Sequence, residues 1–269
     1  MHTFGGDSMK NLKVLGDLKI IETGKLYGNM NTVKAFYPED YTLEQRKEAF
    51  MNARMKLGND YGFDGHKFFM ADQQDKRGTW FEIDNDYVKA NPNGWSDIRQ
   101  DILVITSKTP GVVIGHPVAD CPVVMAYDQK QKIVAIGHCS AELVDKKMPM
   151  LVVDALYNSY RSKDENIAIY VSACAGDNWT YDKYPVWAKD NKVWDEYIKE
   201  DEKGMFHIDL KGAVAKQLMD RNIKDIFMSH VDTITDEDYY SNSAAFNGDE
   251  TKKGRNFAGT FFKEKVKVK

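Results

Sequence analysis

Residues 118–143 read VADCPVVMAYDQKQKIVAIGHCSAEL. Two side chains there can do chemistry. A thiol, Cys121, sits near the start of one apolar run, and an imidazole, His138, near the end of the next. The polar stretch DQKQK between the runs reads as a turn. A hairpin turning between Gln129 and Lys130 would set Cys121 directly opposite His138, with Cβ atoms about 5 Å apart. A slip of one residue would put them on opposite faces. A thiol beside an imidazole suits two chemistries. The imidazole can favour the thiolate and make a nucleophile, with Asp120 or a backbone carbonyl orienting the ring. Alternatively, sulfur and nitrogen are two of the donors that tetrahedral zinc takes, and a catalytic zinc needs three plus an open position. The plain alternative is a core cysteine packed beside a hydrogen-bonded histidine.

The elements that would position such a pair can be read along the chain. With 269 residues, 42% of them hydrophobic, the sequence can bury a substantial core. A net charge of −4 gives no reason to expect nucleic acid or an acidic membrane surface as a partner. No apolar run reaches the roughly 18 residues that span a bilayer. The N-terminal stretch MHTFGGDSMKNLKVLGDLK lacks an apolar signal region, so the expected location is cytoplasmic. Three cysteines, Cys121, Cys139 and Cys174, are odd in number and read as free thiols.

Residues 12–36 predict short strands with Gly-rich turns. Thr42 and Gln45 form a possible capping box before a helix with Leu43, Ala49, Phe50, Ala53 and Leu57 on or near one face. Residues 67–84 read as strand, polar loop and strand, and residues 85–100 as loop. Three runs rich in Val and Ile between residues 101 and 141 predict buried strands. A helix follows over MPMLVVDALYNSYRS, then a strand over ENIAIYVSACAG. Residues 177–204 read as an irregular segment anchored by Trp179, Tyr184, Trp187 and Trp194, whose rings suggest a packed lid. Asp209 caps a helix over residues 209–223, the strand DIFMSHVDT follows, and FAGTFF predicts the last strand. The order is mixed rather than strictly alternating, which predicts one α/β domain, residues 1–269, with a mixed sheet.

The stretch holding Cys121 and His138 resembles the paired motifs of the laccase-domain family, also called YfiH-like proteins or polyphenol oxidases. There T-A-D-C is followed, after a short hairpin, by H-A-G-W-R-G. Other segments agree in order: FMNARMKLG with N-R-x-R-L, DILVITSKTPGVVIG with D-A-L-V-T…P-G, and YVSACAG with I-G-P-C-I-G. IDLKGAVAKQLMDRNI resembles the family's L-D-L…Q-L…G-V helix, and VDT, YYSNSAA and KGRNFAG stand where it has C-T, F-F-S-Y-R-R and T-G-R. The match spans about residues 45–262. The resemblance implies an α/β/β/α layered sandwich, a zinc or copper site and activity on purine nucleosides. It places one Cys ligand on Cys121 and one His ligand on His138.

The departures from the pattern fall in the site. Lys76 stands where the family's Q-V-H-G motif has its second His ligand, and a protonated lysine is a poor zinc ligand, so the metal could be absent altogether. Glu142 replaces the Arg of H-A-G-W-R-G, and Asn242, Ser243 and Ala244 replace the arginines near Y-R-R, while Arg255 remains. His116 is a candidate third ligand. Plain alternation puts it on the face opposite Cys121, unless a bulge near Pro117 or Pro122 restores the parity. Asp75 and His66 are further candidates, whereas His207 and His230 read as ordinary. Cys174 is expected to line the site or the core, and Arg255, Lys76 and Cys174 are the expected substrate contacts.

Three functions remain open at the level of sequence. The first is a divergent metal-dependent purine-nucleoside enzyme, a deaminase or hydrolase rather than a phosphorylase, with Cys121, His138, Asp120 and Glu142 at its centre. The second is a metal-independent Cys–His hydrolase or amidase. The third is a non-catalytic binding module. A true multicopper oxidase is excluded, because six scattered histidines cannot supply its His-x-His clusters.

Overall fold

The computed structural model describes residues 2–4, 13–70, 79–94 and 102–264. The chain opens with strands β1 (His2–Phe4), β2 (Lys13–Leu15) and β3 (Leu18–Glu22), followed by helix α1 (Leu43–Tyr61). Strands β4 (Phe68–Met70) and β5 (Thr79–Glu82) precede helix α2 (Asn85–Ala90). Four strands come next: β6 (Ile102–Ser107), β7 (Val113–Val118), β8 (Val123–Asp128) and β9 (Ile133–His138). Helices α3 (Ala141–Asp145) and α4 (Met148–Tyr160) lead into β10 (Ile167–Val171). The last third holds β11 (Thr180–Tyr181), β12 (Ile198–Glu200), β13 (Phe206–Ile208), α5 (Leu210–Met219), β14 (Asp225–Ser229), α6 (Asn242–Phe246) and β15 (Asn256–Phe262).

Two large mixed sheets lie face to face. One runs β1-β14-β10-β8-β9-β6-β5 and the other β2-β3-β15-β7-β4. Strand alternation builds three apolar layers from them. Val123, Met125 and Tyr127 of β8 and Val134 and Ile136 of β9 meet Ile20, Ile114, Ala258 and Phe262 of the five-stranded sheet. The alternate residues Val124, Ala126, Ile133 and Ala135 pack against Val152 and Leu156 of α4 and Val214 and Leu218 of α5. On the far side, Phe50, Ala53 and Leu57 of α1 cover Ile21, Val113, Phe257 and Phe261. The result is the α/β/β/α sandwich that the motifs imply. Among the described residues, no helix is long and apolar enough to cross a membrane.

Local signals account for the helix ends. Thr42 accepts from the Gln45 amide while the Gln45 side chain accepts from the Thr42 amide, so the capping box forms, and the helix continues to Tyr61 before Gly62 closes it at φ 79°. Three expectations need correction. Residues 85–90 form α2 rather than loop, because the Asp84 carboxylate caps the Tyr87 amide. The second apolar run is two strands, β7 and β8, broken at residues 119–122. The aromatic segment 177–204 is not wholly irregular, since β11, β13 and β12 form a small antiparallel sheet, and Trp194 is buried.

Candidate active site

The hairpin forms, but one residue further along than the turn chemistry suggests. Asp128 pairs with Ile133, and the Asp128 carboxylate accepts from the amides of Lys130 and Gln131, each at 2.9 Å. The loop therefore turns between Lys130 and Gln131, and His138 faces Val123 rather than Cys121. Cys121 lies in the bend two residues beyond the end of that ladder, while alternation along β9 fixes the face to which His138 turns.

That face is the space between the sheets. His138 continues the inward series of Val134 and Ile136, and His116 on β7 continues that of Ile114. The two imidazoles come from different sheets and meet with ring centroids 6.2 Å apart. His116 is therefore brought to His138, and the parity objection fails because the two residues belong to facing sheets rather than to one. Strand β4 ends at Met70 opposite Gly115, one residue from His116. Lys76 and Asp75 lie outside the described residues. His66 precedes β4 at the end away from Met70 and does not join the site. His207 binds the Asp177 carbonyl and the Asp201 carboxylate, and His230 is exposed.

Asp120 shapes the turn into Cys121. It adopts the left-handed conformation, φ 77°, and is almost fully buried. Its carboxylate accepts from the Thr233 hydroxyl at 2.8 Å and the Ser243 amide at 2.6 Å, and its carbonyl accepts from the Ala175 amide at 2.7 Å. Asp120 thus ties the Cys121 loop to three other segments, and no hydrogen bond from it to His138 is present among the described residues. These contacts also bring the 242–244 stretch, where the family has arginines, against the site.

Cys121 is partly exposed at the strand end, while Cys174 is fully buried. Burial pushes the Cys121 thiol up to about 12; Asp120 adds to that, and Arg255 opposes it. Burial likewise takes His138 down to about 3, with His116 and Arg255 contributing. The Cys174 thiol is raised to about 12 by burial, partly offset by Lys211. At neutral pH the site holds protonated thiols and a neutral imidazole, the reverse of a thiolate–imidazolium pair. Arg255 lies with its guanidinium 4.1 Å from the Phe36 ring centroid and donates to the Gly254 carbonyl at 2.9 Å. Burial lowers its pKa, and interactions with Cys121 and Asp120 counter that. Glu142 is exposed in the first turn of α3, where Ser140 caps the Leu143 amide. Tyr181 carries no signal in the sequence beyond its place in the aromatic segment; burial raises its pKa, Cys121 adds to that, and its ring packs 5.6 Å from Trp179.

Cys121, His138 and His116 offer donor types that zinc and copper accept. Among the described residues, however, no three His, Cys, Asp or Glu side chains are arranged to hold a metal ion. The described side chains alone therefore do not fit a complete zinc or copper site.

A family model described as multi-copper polyphenol oxidoreductase laccase matches residues 40–263. Solved structures with the same architecture include the Bacillus licheniformis hypothetical protein YfiH, 16% identical with a TM-score of 0.72, covering 91% of this chain and 93% of that one. YlmD from Geobacillus stearothermophilus is 15% identical, with a TM-score of 0.70 and 92% of each chain covered. The Neisseria meningitidis protein NMB0706 is 14% identical, with a TM-score of 0.61, covering 93% of this chain and 96% of that one. At these identities the likeness is one of fold. No curated protein matches the sequence.

Proposed function

This chain belongs to the multi-copper polyphenol oxidoreductase laccase family, and we propose that it acts on purine nucleosides by a water-driven reaction, deamination or hydrolysis, at Cys121 and His138. The observation that carries this reading is the meeting of His138 with His116 between the sheets, near Arg255, whose charge also acts on Cys121. A neutral imidazole can accept a hydrogen bond from water. Its weak basicity limits it to orienting that water rather than taking its proton outright. The Arg255 guanidinium supplies positive charge where electron density develops on a purine or a leaving group. Tyr181 and Trp179, their rings tilted 54° to one another, offer aromatic faces against which a base can stack.

Water is favoured over phosphate because an anion needs bidentate cationic partners. Glu142 and the 242–244 stretch stand where the family motifs carry arginines. A carboxylate about 4 Å from a phosphate oxygen costs roughly 4 kcal/mol at an effective dielectric near 20. Zinc, with copper as the other choice, belongs to the same proposal, with Cys121 and His138 as two of its ligands. The small-molecule substrate and a cytoplasmic location are likewise proposed. The high thiol pKa weighs against a metal-independent Cys–His hydrolase.

The test is an assay of the full chain with adenosine and inosine, with and without millimolar phosphate, alongside metal analysis before and after chelation. Release of ammonia or free base that is independent of phosphate, and falls at least about a hundredfold in Cys121→Ala and His138→Ala, supports the proposal. Phosphate-dependent ribose-1-phosphate overturns it in favour of phosphorolysis. Nucleoside binding without turnover would make the chain a binding module.

A further inference from the structure

Cys174 has no part in the chemistry proposed above, yet the backbone sets it against Cys121. Strands β8 and β10 are antiparallel, with Val124 paired to Val171. Beyond that pair the Ser172 amide donates to the Val123 carbonyl at 3.0 Å, and the Ala175 amide donates to the Asp120 carbonyl at 2.7 Å. These two bonds bracket Cys121 and Pro122 on one side and Ala173 and Cys174 on the other. Residues 120–123 therefore run alongside residues 172–175, with Cys121 and Cys174 on neighbouring backbone segments. Segments bonded in this way lie about 5 Å apart, which falls inside the Cα span of about 4.4–6.8 Å that a disulfide needs.

Both cysteines lie just beyond the last residues of that strand pair, Cys121 before β8 and Cys174 after β10. The electrostatic effect of Cys174 on the Cys121 thiol agrees with that closeness. The loop is held in place, because Asp120 keeps its left-handed turn through Thr233 and Ser243. Cys139 also interacts electrostatically with both thiols, but it belongs to the apolar layer between the sheet and the helices, with its thiol toward the Gly137 carbonyl. All three cysteines are free in the structure.

We propose that Cys121 and Cys174 are a redox modification site, closing into a reversible cross-strand disulfide when a peroxide oxidises Cys121. Cys121 is the partly exposed thiol and meets the oxidant. Its thiolate attacks one peroxide oxygen, the O–O bond breaks, and the other oxygen leaves as an alcohol or water, giving a sulfenic acid at Cys121. The Cys174 sulfur then attacks the Cys121 sulfur, the sulfenic oxygen leaves as water, and the S–S bond forms. The two thiols give up two electrons and two protons, and the peroxide is reduced. Burial keeps both thiols protonated, so closure is slower than for an exposed cysteine. Closure removes the Cys121 thiol from the site, and reduction restores it.

The experiment exposes the purified full chain to millimolar hydrogen peroxide, blocks remaining thiols with iodoacetamide under denaturing conditions, and maps peptides by mass spectrometry without reduction. The expected result is loss of two of the three alkylatable thiols, a peptide linking Cys121 to Cys174, and recovery with dithiothreitol. Cys139→Ser should retain the link. Cys174→Ser should drive Cys121 on to sulfinic acid at least about tenfold faster than in the parent chain, because the resolving thiol is gone. A Cys121–Cys139 link, a link between molecules, unchanged thiols, or equal sulfinic acid formation in the parent and Cys174→Ser would each overturn the proposal. None of these readouts depends on catalytic activity.

Discussion

The imidazoles of His138 and His207 sit in opposite environments. His138 is held neutral by burial and by its neighbours His116 and Arg255, whereas His207 is favoured in its charged form by the Asp177 carbonyl and the Asp201 carboxylate. Their contributions to stability therefore run in opposite directions with pH. The unfolded chain takes up a proton at His138 near the ordinary value of about 6.5, but the folded chain resists it until about 3, so stability falls as pH drops through that window. His207 does the reverse: its contribution is complete below about 6.5 and is lost as pH rises through its higher folded value. Proton NMR titration should show His138 still neutral at pH 5 and His207 titrating above the usual range. Urea denaturation at pH 7 and pH 4 should show a smaller loss of stability in His138→Gln than in the parent chain. An equal loss in both would mean that His138 is not held neutral. The presence of Cys121 and His138 in a common region was legible in their motifs. Their protonation states were not, because burial and the charge of Arg255 come from distant parts of the chain.

At the level of elements, the capping box at Thr42, the Asp209 cap and the alternation of apolar residues in β8 and β9 were all readable, since each is set by residues within a few positions. The hairpin register was not. Asp128 captures two amides of the loop and shifts the turn by one residue, which moves Val123 opposite His138. The close approach of β7 and β15 was also hidden. A Cβ at Gly115 would lie 2.2 Å from the Phe257 ring and 2.6 Å from the Ala258 carbonyl. Gly115→Ala must displace a fully buried ring or part of the strand ladder, and should cost about 1–3 kcal/mol in urea denaturation. A neutral result would show that Phe257 moves aside freely.

Across the whole molecule, the facing sheets create the site, because they bring together a histidine from each. The layer between them is apolar and closely packed along most of its length, with Ile136 fully buried two residues from His138. Ile136→Ala should cost about 2–5 kcal/mol, through lost burial plus the cavity left behind. Cooperative unfolding at lower urea would verify that; an unchanged midpoint would mean that the inter-sheet layer contributes little to stability.

The linear order of residues determined the family, the strand and helix content, and the retention of Cys121, His138 and Arg255. These follow from short motifs and from periods of two and 3.6, which depend only on near neighbours. Tertiary structure alone decided that His116 meets His138, that Val123 rather than Cys121 faces His138, that residues 120–123 run alongside 172–175, and that Asp120 braces the loop instead of the imidazole. Each of those relations joins segments that are distant in sequence or separated by a turn. Their geometry depends on register, on turn length and on how one sheet lies over another, and these are settled by packing of the whole chain rather than by any local pattern.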